Sequence, residues 1–218
     1  MSHLPKFNSR FNRSHPVKTL YQTALLTLIP LSTVAQGTFV YDQQSSTESR
    51  PGESFARIQP DAPLGQSFTP SLTTVGFIRL DLYDDVNHNG KGATIYVNLR
   101  ANSITGPILS SSIPVSMPDG FAVAGGGFTD FLFQNLVPVT PGTIYYFDLA
   151  AQPGSDTWGL RRYLFGSDYT GGTEYISGQP GTDDLWFREG IIVPEPSSVA
   201  LLLFGTVILF WNRRVRHR

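Results

Sequence analysis

The chain has 218 residues, a formal net charge of −1 and no cysteine. The lack of cysteine excludes a disulfide framework, a thiol nucleophile and a cysteine-ligated metal site. The stretch 36–196 holds eight of the sixteen basic residues and all seventeen acidic ones, a net charge of −9, so both ends are cationic around an anionic middle. Because phosphate binding needs clustered Lys and Arg on the folded domain, this distribution argues against nucleic acid as a partner. It is typical of a chain whose ends meet a membrane.

Residues 1–35 have the three parts of a secretory signal peptide. A leader with four basic and no acidic residues precedes the moderately apolar segment Leu20–Ala35, which ends in small residues. A buried helix is the competing interpretation, and Pro30 together with the flanking charges disfavours it. We predict cleavage between Ala35 and Gln36, with cleavage after Gly37 as the alternative.

The C-terminal segment has the pattern of a membrane anchor. The stretch Pro196–Trp211 carries no charge and spans about 24 Å as a helix, slightly less than a bilayer core requires. We therefore predict a transmembrane helix over 199–212, where Trp211 sits at the interface. The basic tail 213–218, which includes Arg213 and Arg214, then stays in the cytoplasm.

The order of features in this tail resembles a known sorting signal. Pro194-Glu195-Pro196, a short apolar helix and an Arg-rich end together resemble the PEP-CTERM protein-sorting signal, over about the last 26 residues. In that family an integral-membrane cysteine protease-transpeptidase, exosortase, processes proteins exported by Gram-negative bacteria that make exopolysaccharide and biofilm. The resemblance implies that Pro194, Glu195, Pro196, Arg213 and Arg214 are recognition residues, within a linker over 191–198 and the basic tail. The same signature is also catalogued as an ice-binding-protein C-terminal domain, a label that describes the tail.

The remaining stretch, 36–190, has the period-two alternation of half-buried β-strands. Ile78, Leu80 and Leu82 point to one face and Arg79 and Asp81 to the other. The longer predicted strands are Val75–Tyr83, Ala93–Arg100, Phe128–Leu136 and Ile144–Ala150. The shorter ones are Thr38–Tyr41, Gly65–Phe68, Ile108–Val115, Trp158–Leu164, Glu174–Ile176 and Leu185–Arg188. With turn signals between them, these strands predict an all-β fold, an antiparallel two-sheet, jelly-roll-like sandwich flanked by the signal helix and the transmembrane helix.

A loose resemblance to exported carbohydrate-binding or galactose-binding-like sandwich modules covers most of 60–190, and it implies that the domain binds a glycan. The aromatic residues suited to stacking on a sugar ring are Trp158, Tyr163, Tyr169 and Trp186. The alternative is that Trp158 and Trp186 lie on strands and fill the core.

A single loop has the pattern of a calcium site. Asp85, Asn87 and Asn89, with Gly90 in the sixth place, match the first half of a calcium-binding loop, although the closing position is Tyr96 instead of a carboxylate. The alternative is a polar hairpin loop that joins Val75–Tyr83 to Ala93–Arg100. No other cofactor is predicted.

Catalytic signals are weak in the stretch 36–190, which we call the outer domain. Its one histidine, His88, lies in that polar loop, where packing cannot orient it as a general base. We therefore predict a non-catalytic surface or matrix protein whose partners are the membrane, an exosortase-like protease and extracellular polysaccharide. The alternative is a small secreted glycan-active enzyme that uses a carboxylate pair from among Glu174, Asp183 and Asp184. Ice binding is weaker still, because it would need a regular threonine surface and the threonines are scattered.

Overall fold

The structure is a computed structural model that describes residues 37–48, 54–123, 127–163 and 169–194. All of these residues belong to one compact unit. The predicted signal peptide with its cleavage site, Glu195 and Pro196, the transmembrane helix over 199–212 and the basic tail lie outside the described residues.

The described ranges contain fourteen strands and no helix, so the predicted all-β class is confirmed for them. The strands are β1 (Thr38–Gln44), β2 (Ser54–Arg57), β3 (Leu64–Phe68), β4 (Thr74–Asp84), β5 (Ala93–Ala101), β6 (Ile108–Ser111), β7 (Val115–Met117), β8 (Phe128–Pro138), β9 (Tyr145–Ala151), β10 (Trp158–Tyr163), β11 (Glu174–Ile176), β12 (Gln179–Pro180), β13 (Asp184–Leu185) and β14 (Phe187–Val193).

The strands form two antiparallel sheets of seven strands each. In sheet 1 the order is β1-β14-β4-β10-β13, with β8 beside β4 and β2 beside β10. In sheet 2 the order is β12-β11-β3-β9-β5-β6, with β7 also paired to β5. The long strands alternate between the sheets along the chain: β3, β5 and β9 lie in sheet 2, and β4 and β8 lie in sheet 1. Few strands that follow one another in sequence therefore pair with each other. The two sheets pack as a sandwich, because the inner face of each must be covered by the other.

The core lies between the sheets and follows the predicted alternation. Ile78, Leu80 and Leu82 of β4 and Ile95, Val97 and Leu99 of β5 are each 0% exposed. Phe68, Phe131, Phe147 and Phe187 fill the centre. The period-two pattern thus identified the buried face of both long strands, because successive side chains of a strand point to opposite faces of its sheet.

Three details of the predicted strands need correction. The predicted strand Ile108–Val115 is two strands, β6 and β7, which pair with different parts of β5. Strands β4 and β5 belong to different sheets, so the segment 85–92 is a crossover loop and the predicted hairpin is wrong. The predicted strand Leu185–Arg188 lies in β13 and β14, and β14 continues to Val193, three residues beyond the predicted end of the domain.

Candidate functional site

The residues of the predicted calcium loop turn their side chains toward other protein groups. Asp85 forms an ion pair with Arg57 at 2.9 Å, and Asn87 contacts the ring of its neighbour His88. The Asn89 amide donates to Asp156, while its oxygen accepts the Lys91 N–H at 2.8 Å. Within the described ranges no group of three or more His, Cys, Asp or Glu side chains could hold a metal ion.

The loop wraps around a carboxylate instead of around a cation. The backbone N–H groups of His88 and Gly90 donate to the two oxygens of Asp119, at 2.7 and 2.8 Å. His88 and Gly90 have positive φ values of 64° and 76°, which turn both amides inward. The N–H of Gly90 and then that of His88 hold the pKa of Asp119 below its usual range. A loop that presents N–H groups has the polarity of an anion cradle, which is opposite to what calcium needs.

Three of the four aromatic residues predicted to stack on a sugar lie in the interior. Trp158 and Trp186 are 0% exposed and Tyr163 is 4% exposed, so no ring face is free for a ligand. The ring of Trp158 packs against Phe121, and Trp186 packs against Phe128. The half-buried Tyr169 packs edge-on against Phe187 at 5.2 Å. The alternative that the two tryptophans fill the core is correct, and the sugar-stacking role of Trp158, Trp186 and Tyr163 is wrong.

The outer face of sheet 1 carries an aromatic and arginine cluster that is absent from the predictions made from the sequence. Phe39 and Tyr41, both half-buried, project from β1 with nearly parallel rings 6.4 Å apart. The guanidinium carbon of Arg79 lies 4.9 Å from the centre of the Phe39 ring, and that of Arg188 lies 4.0 Å from the centre of the Tyr41 ring. Only the period-two spacing of Phe39 and Tyr41 hinted at this outer aromatic–arginine cluster, because the arginines come from two other strands.

Acidic partners fix both of these arginines. Asp130 accepts from Nε and Nη2 of Arg79, at 2.6 and 2.9 Å, and Glu48 contacts both Arg79 and Arg188. The side chain of Arg188 also donates to Gln44 at 2.8 Å. The cluster therefore combines flat rings with polar groups held in fixed directions, the composition that recognises a polar ligand with an apolar face.

The first and last strands bring the two ends of the domain together. Thr38 pairs with Val193, Phe39 with Ile192 and Val40 with Ile191 in the antiparallel ladder between β1 and β14. The start of β1 is only two residues past the predicted cleavage site, and β14 leads directly into the predicted sorting residues. Both predicted membrane segments therefore connect to the same end of the sandwich.

Pro194 marks the point where the folded domain stops. It is exposed and belongs to no strand, because its ring nitrogen has no hydrogen to donate to the β1 ladder. Of the predicted sorting residues it is the one that the structure describes; Glu195, Pro196, Arg213 and Arg214 lie outside the described residues, as do Ala35 and Gln36. The described ranges contain no helix with the length and hydropathy needed to cross a bilayer.

A comparison with protein-family models matches residues 193–216 to the PEP-CTERM protein-sorting motif. This chain carries a PEP-CTERM sorting motif. The match begins at the last residue of β14, so the folded domain and the motif meet without a spacer. The motif implies a secreted protein that is anchored in the membrane and then processed there by an exosortase. No curated protein and no solved structure gives a significant match to the chain.

The acidic residues that could form a catalytic pair are held by protein partners. Arg162 donates to both oxygens of Glu174, and its Nη2 lies 3.0 Å from Asp183. Burial raises the pKa of Glu174, and Arg162 opposes that shift. Asp184 is 0% exposed and accepts a hydrogen bond from the Gln66 amide. These three carboxyl groups thus stabilise the contact between sheet 1 and sheet 2, and they do not face one another across an open groove.

A second pair of acids lies at a bulge in β1. Asp42 is the additional residue where the ladder with β14 shifts register, and Glu189 of β14 is 0% exposed beside it. Burial, followed by the charge of Asp42, raises the pKa of Glu189 to about 9. Burial also acts on Asp42, but hydrogen bonds from Ser71 and Leu72 outweigh it and hold the pKa of Asp42 below its usual value. At neutral pH Glu189 is therefore protonated next to an ionised Asp42.

Proposed function

We propose that this chain is an exported surface or extracellular-matrix protein whose outer domain is non-catalytic and whose tail is the substrate of an exosortase. A signal peptide over 1–35 starts export, and the helix over 199–212 stops it with Arg213 and Arg214 in the cytoplasm. Exosortase then recognises Pro194, Glu195 and Pro196, and the processed domain remains at the surface or in the matrix of a Gram-negative bacterium.

The observation that carries this proposal is the match of the PEP-CTERM sorting motif to residues 193–216. The end of the described fold supports it, because all fourteen described strands end at or before Val193. Processing beyond that residue removes no strand from either sheet, so a cut in the tail releases an intact domain.

The test compares the chain in a host with exosortase and in the same host with that gene deleted. We expect exosortase-dependent shortening of the protein and its appearance at the cell surface. Replacement of Pro194, Glu195 and Pro196 by alanine should leave the full-length chain in the membrane. The control replaces Pro141 and Pro153, two exposed prolines in outer-domain turns, and should be processed normally. Normal processing of the Pro-Glu-Pro variant would overturn the proposal.

We further propose that the outer domain binds extracellular polysaccharide, and that the outer aromatic–arginine cluster contributes the binding surface. The half-buried rings of Phe39 and Tyr41, with Arg79, Arg188 and Glu48 around them, support this role over the buried tryptophans. Stacking of a ring on the apolar face of a sugar, with charged hydrogen-bonding groups at its edge, is the usual chemistry of glycan recognition.

A glycan array probed with the folded outer domain tests this part. Tyr41→Ala should reduce binding at least about tenfold, which corresponds to about 1.4 kcal/mol. Phe55→Ala, which changes another exposed aromatic residue of sheet 1, serves as the control and should bind like the wild type. If neither the wild type nor the control binds any polysaccharide, a structural role alone remains.

The alternative function is a small glycan-active enzyme. That activity would need two carboxyl groups roughly 5–10 Å apart across a groove. The ion pairs of Arg162 with Glu174 and Asp183 favour the non-catalytic proposal. Release of reducing sugar from the polysaccharide of the host, if abolished by Glu174→Gln, would favour the enzyme.

A further inference from the structure

At the end of the domain where β1 begins and β14 stops, five of the described segments contain no charged residue. These segments are 37–41 and 190–194 at the two termini, 69–74 between β3 and β4, 101–108 between β5 and β6, and 136–144 between β8 and β9. None of them contains Asp, Glu, Lys, Arg or His. We call this region the uncharged end.

Strand register places all of these segments together. Thr38 pairs with Val193 in sheet 1, and Thr74 pairs with Pro138. In sheet 2 Tyr145, which follows 136–144, pairs with Ala101 at the start of the β5–β6 connection. Two hydrogen bonds join the crossover loops of the two sheets, from Val139 N–H to Thr73 O and from Gly142 N–H to Pro70 O, both 2.9 Å.

Five aliphatic side chains are exposed at the uncharged end. They are Val40 (39%), Ile108 (50%), Leu136 (52%), Ile144 (51%) and Val193 (44%). The charged groups that border this end have protein partners: Asp42 accepts hydrogen bonds from Ser71 and Leu72, and Arg100, which pairs with Asp148, donates to the carbonyl of Gly106. Only Glu195 of the tail adds a charge immediately beyond Pro194.

The opposite end of the same sandwich is charged. The loops 85–92, 118–123 and 152–157 meet there, joined by the contacts of His88 and Gly90 with Asp119 and of Asn89 with Asp156. This end carries Asp85, Lys91, Asp119 and Asp156. The described loops at the two ends therefore differ in charge: one end carries four charged side chains, and the five segments at the other carry none.

We propose that the uncharged end rests on the lipid bilayer, so that the domain stands on the membrane with its charged loops outward until the tail is processed. This inference rests on the proposed membrane insertion of 199–212. Because the apolar segment begins five residues after Pro194, the tail holds the uncharged end within a short distance of the lipid headgroups. Exposed aliphatic side chains gain from entering the headgroup boundary, and segments without carboxylates limit repulsion by anionic lipids.

The absence of cysteine allows a direct test on the full chain. Single-cysteine variants at Leu136, Ile144, Val86, Val123 and Val207 are labelled with an environment-sensitive fluorophore. Each is reconstituted in vesicles of phosphatidylethanolamine and phosphatidylglycerol that contain a headgroup-attached quencher. Val86 and Val123, both 44% exposed at the charged end, are the matched controls. Val207 reports insertion of the predicted helix.

We expect blue-shifted emission and severalfold stronger quenching at 136 and 144 than at 86 and 123. A further label at Val40 should show the same blue shift and strong quenching. Combining Leu136→Asp with Ile144→Asp should abolish both signals at Val40, whereas combining Val86→Asp with Val123→Asp should leave them unchanged. Water-like emission at 136 and 144 while the label at 207 is buried in lipid would overturn the docking alone. Water-like emission at 207 as well would overturn both the docking and the membrane anchor. Because these vesicles contain no other protein, a positive result identifies lipid as the partner.

Discussion

Thr38, the first residue of β1, pairs with Val193, the last residue of β14. This pairing closes the described domain at the position where the sorting motif begins. In sheet 1, the last described strand, β14, lies between β1 and β4. Strand β14 starts in the core and ends at the surface, since Phe187 is 0% exposed and Val193 is 44% exposed. The stability of the domain therefore depends on β14, the strand that ends where the motif begins.

Phe187 anchors the start of β14. Its ring lies 5.5 Å from that of Phe147 and 5.2 Å from that of Tyr169. We expect Phe187→Ala to lower the free energy of unfolding by about 3–5 kcal/mol, because it leaves a cavity between the sheets. Val193→Ala, at the exposed end of the same strand, should change it by less than about 0.5 kcal/mol. Urea unfolding followed by tryptophan fluorescence measures both, and equal effects would contradict this account of β14.

Truncation tests where the folded domain ends. A chain of residues 37–193 keeps every described strand and should unfold cooperatively, with the midpoint temperature of the longer chain 37–198. A chain that stops at Trp186 lacks β14 and exposes Phe77 and Leu80 of β4, so it should not fold. Circular dichroism during heating distinguishes the two. A cooperative transition in the shorter chain would show that β14 is dispensable.

The pair formed by Asp42 and Glu189 gives stability an unusual dependence on pH. Folding raises the pKa of Glu189 from 4.5 to about 9, so its contribution is full below pH 4.5 and is lost as the pH rises toward 9. Glu189→Gln removes this loss. Between pH 4.5 and pH 7 the free energy of unfolding of the wild type should fall by about 3 kcal/mol more than that of the variant, at 1.36 kcal/mol for each pH unit.

Asp42 should affect the pH dependence of stability in the opposite direction. Its pKa is lowered from 3.8, so its contribution is present above that pH and is lost as the pH falls. Asp42→Asn should therefore flatten the acid side of the stability profile. Unfolding free energies measured from pH 3 to pH 9 test both variants, and a Glu189→Gln profile parallel to that of the wild type would refute the assignment.

The loop around Asp119 should be insensitive to calcium. Its backbone N–H groups point at a carboxylate, so millimolar calcium should leave the unfolding temperature unchanged. Asp119→Ala removes the acceptor of both N–H groups and should increase amide hydrogen exchange in 87–91 without adding a calcium response. Asp61→Ala, which removes a second half-buried acid, controls for lost charge. A calcium-dependent rise in unfolding temperature would restore the metal site.

Arg162 and Arg57 both form ion pairs, but they should contribute differently to the free energy of unfolding. Arg162 joins Glu174 to Asp183 with its side chain only 17% exposed, whereas the Arg57 side chain beside Asp85 is 51% exposed. Arg162→Met leaves Glu174 buried without its cation and should cost about 3–5 kcal/mol. Arg57→Met should cost less than about 1 kcal/mol. Similar costs, measured by chemical unfolding, would mean that the buried network contributes nothing specific.

The sequence predicted those strands whose buried face is uniform. In β4 and β5 a strict alternation of aliphatic and polar residues identified the core side chains, because the period of a strand is a local property of the backbone. The split of Ile108–Val115 into β6 and β7 was missed, although Pro114 between them has no N–H to donate to a ladder and marks the break. The jelly-roll-like topology stays a prediction beyond the two antiparallel sheets.

Side-chain roles were predicted less well than strands. Asp85, Asn87 and Asn89 have a calcium-like spacing, yet their partners are Arg57, His88 and Asp156, and the loop closes on Asp119, thirty-four residues beyond Asp85. Trp158 and Trp186 are buried by strands distant in sequence, so no local pattern could tell a core ring from an exposed one. In the outer aromatic–arginine cluster, three separate strands supply Phe39, Arg79 and Arg188.

By itself the sequence determined the all-β class of the domain, the buried face of its long strands and the sorting motif in its tail. These properties depend on residues close together in the chain, where periodicity, proline and the order of apolar and basic segments act locally. Tertiary structure decided which strands share a sheet, which aromatic rings are buried and that the two termini meet at the uncharged end. Such properties arise from contacts between residues as distant as Thr38 and Val193, which no local pattern encodes.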